Sequence, residues 1–257
     1  MNSTTILDIS HVTLRFGGVT ALEDVSFTVQ SGDLFAIIGP NGAGKTSIFN
    51  CINGVYKPQK GSILFEGREL VGESPVNVAR QGVGRTFQNL GLFMNLNLID
   101  NLLLGRHLQM KTGFFSGALW WGRAKNEEII NRQKIEAIID LLELQPHRYQ
   151  SVGLLPYGIQ KRVELGRALA MEPRILLLDE PVAGMNLEET EDMARYILEI
   201  NNELGVSILL VEHDMAMVMD IADCVMALDF GQTIVTGPPK EVQSDQRVIA
   251  AYLGEAS

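Results

Sequence analysis

With 257 residues, 46% of them hydrophobic and 20% charged, the chain can bury a substantial core as one large domain or two small ones, and its composition leaves little room for long disordered stretches. A formal net charge of −10 without any concentrated Lys/Arg block argues against a nucleic-acid binder, because neutralising phosphates needs a basic face. Cys51 and Cys224 stand far apart with no second cysteine at metal-ligand spacing, which indicates neither a zinc site nor a disulfide framework and fits a reducing cytosol.

In chain order, residues 1–11 carry no basic stretch followed by an apolar one, and no run reaches the roughly 18 apolar residues of a spanning helix. The expectation is a chain that is neither exported nor membrane-spanning. Runs rich in Ile, Leu, Val and Phe predict strands at residues 12–16, 25–29, 34–38, 63–65, 83–87, 175–178, 207–211 and 224–228. Helical patterns fall at residues 45–52, 158–170, 187–204 and 215–222. Several strands are almost continuously apolar, as strands covered on both faces are, so the alternation reads as an α/β fold with a mostly parallel sheet. Between residues 97 and 149 the strand signals vanish, while Ile130, Ile135, Ile138, Ile139 and Leu142 recur at helical spacing. This segment reads as an inserted helical subdomain. Residues 113–122, with Phe114, Phe115, Trp120 and Trp121, form the greasiest passage but are too short and glycine-rich to cross a bilayer.

Gly39, Pro40, Asn41, Gly42, Ala43, Gly44, Lys45 and Thr46 match the pattern GxxxxGK[ST] between a predicted strand and a predicted helix. The glycines allow successive N–H groups to point inward at phosphate oxygens, and the helix N-terminus adds its dipole. Lys45 is placed to reach the β- and γ-phosphates of ATP, the Thr46 hydroxyl to ligate Mg²⁺ and Ser47 to support the α-phosphate. Some 130 residues on, the strand at 175–178 runs into Asp179 and Glu180, two carboxylates at the carboxyl edge of a parallel strand, where ligands sit. Asp179 is expected in the Mg²⁺ shell, and Glu180 is expected to orient or deprotonate the attacking water. His213 follows the strand at 207–211 between Glu212 and Asp214, at the same edge, where it can sense the γ-phosphate. His11, His107 and His147 are isolated and suggest no metal site.

Leu155, Pro156, Tyr157 and Gly158, followed by Ile-Gln-Lys-Arg-Val-Glu-Leu-Gly-Arg-Ala-Leu169, precede the acidic strand and resemble the ABC signature and its helix. Gln88 resembles the Q-loop glutamine, residues 181–186 the D-loop, His213 the switch histidine, and Phe16 the aromatic residue that stacks on adenine. All follow in family order, and the resemblance to ABC ATPases spans residues 7–254. It implies a P-loop NTPase core of ABC type with an antiparallel β part at the N-terminus. A single domain, residues 6–254, would comprise a nucleotide-binding core (6–96 and 172–254) and a helical signature subdomain (97–171). Finer words, among them Arg85-Thr-Phe-Gln-Asn89, Ala183-Gly-Met-Asn186 and Glu212-His-Asp-Met215, resemble the longer of two ATPase subunits in bacterial importers of branched-chain amino acids. Amide or urea importers and the lipopolysaccharide-export ATPase share some of them.

The resemblance implies that the signature loop closes on ATP held by a second subunit, so one chain cannot complete a site. It favours a related but distinct ATPase subunit as that partner, integral membrane permease subunits as the machine driven, and an external solute-binding protein acting indirectly. The place implied is the cytoplasmic face of the membrane. Gln88 would put its amide oxygen on Mg²⁺ or the attacking water. The aromatic cluster at 113–122 packs the insertion or, alternatively, borders the groove for a permease helix. Two departures stand out. The usual signature serine and the following glycine are Pro156 and Tyr157, and Ile159 stands where glutamine is usual, so Gly158 must carry more of the phosphate contact. Leu187 replaces a common proline. The rival reading, a soluble ABC protein of repair or translation, is disfavoured by the single motif set, the modest insertion and the acidic balance. A regulatory subunit without turnover is disfavoured by the presence of Glu180.

Overall fold

The structure, a computed structural model, describes residues 4–86, 90–106 and 123–253, with residues 123–127 and 253 by backbone alone. Its strands in chain order are β1 (Thr5–Phe16), β2 (Val19–Gln30), β3 (Leu34–Ile38), β4 (Lys60–Phe65), β5 (Arg68–Glu69), β6 (Val83–Arg85), β7 (Ile175–Asp179), β8 (Ser207–Val211), β9 (Cys224–Asp229) and β10 (Gln232–Gly237). Its helices are α1 (Lys45–Ile52), α2 (Pro75–Arg80), α3 (Leu98–Gly105), α4 (Arg123–Leu141), α5 (Tyr157–Leu169), α6 (Leu187–Leu204), α7 (Met215–Ile221), α8 (Pro239–Ser244) and α9 (Gln246–Leu253).

β3, β7 and β8 are buried at every position, and the period-2 geometry of a strand sends their side chains to two different cores. Leu34, Ala36, Ile38, Leu176, Leu178, Ile208 and Leu210 face a helical layer that includes Met193 and Ile197 of α6 and Val218 of α7. Phe35, Ile37, Ile175, Leu177, Leu209 and Val211 face α1 and the antiparallel sheet, meeting Ile48, Phe49, Leu7 and Phe65. This double coverage explains why the strands read as unbroken apolar runs. The six-stranded sheet runs β10-β9-β3-β8-β7-β6, with parallel pairing from β9 to β6 and β10 antiparallel at the edge. A second, antiparallel sheet runs β2-β1-β4-β5.

The predicted strand at 12–16 is the end of the longer β1, and β2 likewise starts before residue 25. β5 and β10 escaped the sequence reading because β5 is two exposed charged residues and no position of β10 is buried, so neither shows an apolar run. Among the described residues between 97 and 171 the regular elements are α3, α4, α5 and two short 3₁₀ turns. Asn97 caps α3 by accepting from the Asp100 N–H at 2.8 Å. Tyr196 of α6, fully buried, fastens this region to the core: its hydroxyl donates to Glu143 Oε2 at 2.8 Å and accepts from Arg162 Nη1 at 2.9 Å. Phe114, Phe115, Trp120 and Trp121 lie outside the described residues.

Both cysteines are free. Burial pushes the Cys51 thiol up to about 12, and burial, reinforced by Asp33 and Asp223, raises that of Cys224. The thiolate is the reactive form, so at pH 8 only on the order of 10⁻⁴ of Cys51 is ionised. Native protein treated with Ellman's reagent at pH 8 is expected to react at half-buried Cys224 first, with Cys51 silent until guanidinium is added. Peptide mapping that finds Cys51 modified first in the native state would contradict this packing.

Candidate functional site

At the end of β3 the chain turns through a loop whose backbone only glycine tolerates at two points. Gly39 and Gly44 have φ of 153° and 106°. A Cβ would lie 2.1 Å from the Leu228 carbonyl oxygen at Gly39 and 2.6 Å from that of Ala21 at Gly44. α1 then starts with Gly44 as N-cap, no side-chain cap and no acidic residue in its first turn. Its first N–H groups and its positive dipole end are therefore available to an anion. A cavity of about 420 Å³ is lined by Asn41, Gly42, Ala43, Gly44, Lys45, Thr46 and Ser47 of this loop, together with Glu180 and, at its rim, Val19 and Phe230. Lys45 is buried, and its ammonium donates to the carbonyls of Gly39 at 2.6 Å and Pro40 at 2.9 Å.

β7 delivers the two carboxylates to different environments. Asp179 is 1% exposed. Its Oδ2 accepts from Arg85 Nη2 at 2.9 Å, and its N–H donates to Thr86 Oγ1 at 3.3 Å. Oδ1 is buried and, among the described residues, has no hydrogen-bond partner. Burial raises the Asp179 carboxyl above the usual range, Arg85 pulls it down, and neighbouring Glu180 raises it further. Glu180 points into the cavity from a left-handed backbone, φ 50°. That conformation costs a non-glycine residue on the order of 1 kcal/mol and is held by its N–H on the Val211 carbonyl at 2.9 Å.

β8 ends beside β7, with Val211 opposite Asp179, so His213 stands at the same sheet edge with its side chain 57% exposed. Glu212, fully buried, organises this edge by accepting from the N–H groups of His213 at 2.8 Å, Asp214 at 3.3 Å and Val182 at 3.1 Å. It thereby ties residues 181–186 to the switch segment. Those residues lead into α6 through a capping box between Asn186 and Glu189. The signature loop packs against that cap, since a Cβ on Gly158 would meet Glu189 Oε1 at 2.3 Å. Pro156 is the N-cap of α5 without a side-chain bond, Leu155 is buried, and Tyr157 is 44% exposed.

The structure thus brings residues 41–47 and Glu180 around one cavity, with Asp179 behind it and His213 along the edge. None of Leu155, Pro156, Tyr157 and Gly158 lines that cavity. Phe16 is not among the lining residues either; its ring, 47% exposed, packs edge-on against Tyr56 at 5.0 Å. Gln88 lies outside the described residues. Arg85, Glu212 and Phe230 were missed as site residues. Arg85 and Glu212 sit inside quoted sequence words, but their partners are remote in the chain or are main-chain groups, and Phe230 sits in a turn with no pattern.

A cavity edged by a helix N-terminus, an ammonium group and a carboxylate can bind a polyphosphate and activate water beside it. Residues 22–183 match the family model described as ABC transporter. The chain belongs to the ABC transporter family. As an ABC ATPase it hydrolyses ATP, and its fold is that of the ABC cassettes. A second family model, described as Branched-chain amino acid ATP-binding cassette transporter, matches residues 232–257. The cassette is 41% identical over 254 residues to the high-affinity branched-chain amino acid transport ATP-binding protein LivG of Salmonella typhimurium, covering 98% of each chain. It is 40% identical over 254 residues to the corresponding protein BraF of Pseudomonas aeruginosa, again covering 98% of each. A crystal structure of a nucleotide-free cassette from an ABC transporter superposes with a TM-score of 0.83 at 30% identity, covering 97% of this chain and 99% of that one. A crystal structure of the ADP conformation of an ATP-binding cassette of an ABC transporter superposes with a TM-score of 0.84 at 29% identity, covering 98% of this chain and 100% of that one. Among the described residues no helix is long and apolar enough to cross a membrane.

Proposed function

We propose that this ABC ATPase drives a membrane importer of branched-chain amino acids, as one of two cassettes that close over two ATP molecules. The observation that carries the two-cassette reading is the separation within one chain: Lys45 and Glu180 share a cavity, while Leu155 to Gly158 stand outside it. A signature loop with no phosphate in its own chain to meet is suited to the phosphate of another. The match of residues 232–257 to the branched-chain family model favours that solute over amides, urea or lipopolysaccharide.

In this reading the N–H groups of residues 41–47 and the Lys45 ammonium hold the β- and γ-phosphates, exchanging the Gly39 and Pro40 carbonyls for phosphate oxygens. Thr46, Asp179 and Gln88 would hold Mg²⁺, and Oδ1 of Asp179, buried and without a hydrogen-bond partner among the described residues, is a hard oxygen that would suit such an ion. When bound, the ion offsets the charge gathered on the phosphates. Glu180 takes a proton from water as the water oxygen bonds to the γ-phosphorus. The bond from that phosphorus to the β–γ bridging oxygen breaks, and ADP is the leaving group. His213 contacts the γ-phosphate, and Gly158 of the opposite cassette donates its N–H to it, since Pro156 cannot. Phe16 offers its exposed ring to adenine.

Residues 97–171 act as a helical subdomain that moves against the core formed by residues 6–96 and 172–254, transmitting closure to permease subunits. The partner cassette is a related but distinct subunit, and the assembly sits on the cytoplasmic face of the membrane, served from outside by a solute-binding protein. Deleting the gene from its host is expected to cut uptake of labelled leucine, isoleucine and valine at least tenfold. Plasmid-borne parent should restore uptake, whereas the Glu180→Gln variant should not. Unchanged uptake of all three, with loss of urea or amide uptake instead, overturns the assignment of solute.

A further inference from the structure

The Arg85 side chain, at the end of β6, is 7% exposed and joins two elements that each carry a proposed metal ligand. One arm of its guanidinium donates to Asp179 Oδ2 at 2.9 Å, the other to Asn50 Oδ1 at 2.8 Å, and its Cζ lies over the Phe49 ring, 5.5 Å from the centroid. Asn50 is four residues after Thr46 in α1, so the two share one helix face. The fork therefore spans from the face that presents Thr46 to the carboxylate of Asp179. By occupying Oδ2 it leaves Oδ1, buried and without a hydrogen-bond partner among the described residues, as the carboxylate oxygen not already engaged by the guanidinium.

Resting on the reading of Asp179 and Thr46 as Mg²⁺ residues, we infer that Arg85 is a positioning residue for the metal. It sets which Asp179 oxygen is presented and holds that oxygen at a fixed distance from the Thr46 hydroxyl. Arginine suits this task where lysine does not, because a planar fork bonds two acceptors in set directions while an ammonium on a flexible stem acts as a point charge. The sequence pattern alone conceals the role, since Asp179 lies 94 residues away and meets Arg85 only through the β6–β7 pairing.

The test uses full-length protein carrying Glu180→Gln to suppress turnover, with Mn²⁺ binding to the ATP complex read by electron paramagnetic resonance and ATP binding read separately in EDTA. Arg85→Met is expected to weaken Mn²⁺ at least tenfold while leaving metal-free ATP affinity within twofold, and Arg85→Lys to recover part of the loss. Mn²⁺ affinity within twofold of the parent overturns the inference, as does an equal loss of metal-free ATP binding, which marks a merely structural pair. Should Arg85→Met not fold, Asn50→Ala decides on the same measurements: a threefold or greater loss specific to Mn²⁺ supports the role, and none overturns it. Asp179→Asn separates the two levels. If it keeps parental Mn²⁺ affinity, the underlying reading of Asp179 fails; if it loses Mn²⁺ while Arg85→Met does not, only the role of Arg85 fails.

Discussion

Glu180→Gln is expected to lower ATP turnover by at least about 100-fold while ATP stays bound and the paired cassettes stay shut. General-base catalysis contributes on the order of 10²–10⁴ in rate, and the amide removes that basicity without removing bulk. The Glu180 N–H keeps its bond to the Val211 carbonyl, so the left-handed backbone that aims the side chain into the cavity should survive. A loss through misfolding would instead lower the melting temperature and ATP affinity together. Phosphate release and gel filtration in Mg²⁺-ATP, with the partner cassette present, read both halves of the expectation. Turnover equal to that of the parent would falsify the assignment of Glu180 as base.

Lys45→Ala is expected to weaken ATP binding by about 10- to 100-fold, because hydrogen bonds to a charged group contribute about 1.5–3 kcal/mol and each 1.4 kcal/mol is about tenfold in affinity. The ammonium already sits within the loop, held by the Gly39 and Pro40 carbonyls, so the parent pays little side-chain ordering when phosphate arrives. Calorimetric titration with ATP checks the affinity. The ATP-induced rise in melting temperature, which depends on ligand concentration over its dissociation constant, should shrink in step. An unchanged titration would show that the triphosphate does not meet this lysine and would move the binding site elsewhere.

The parts of the fold legible in the sequence are those whose cause is local. β3 and β8 and helices α1 and α6 begin and end where the residue pattern places them, because continuous apolar runs, helical spacing and a capping pair at Asn186 and Glu189 act within a few residues. β5 and β10 were illegible because their pairing partners, not their own side chains, make them strands. The loop from Gly39 to Thr46 was legible for a similar reason: its shape follows from glycine backbone freedom and from the helix that begins behind it.

The sequence by itself determined that this protein is an α/β chain with a phosphate loop, an acidic strand end and a separate signature loop, since each is written in neighbouring residues. Only the tertiary structure decided which of them share space. It set Glu180 in the cavity of the loop and kept Tyr157 and Gly158 out of it, added Phe230 to its lining, and joined Arg85 to Asp179 and Glu212 to Val182. Those pairings depend on the order in which strands lie in the sheet. Strand order follows from the burial of two faces at once, which no single stretch of residues can specify.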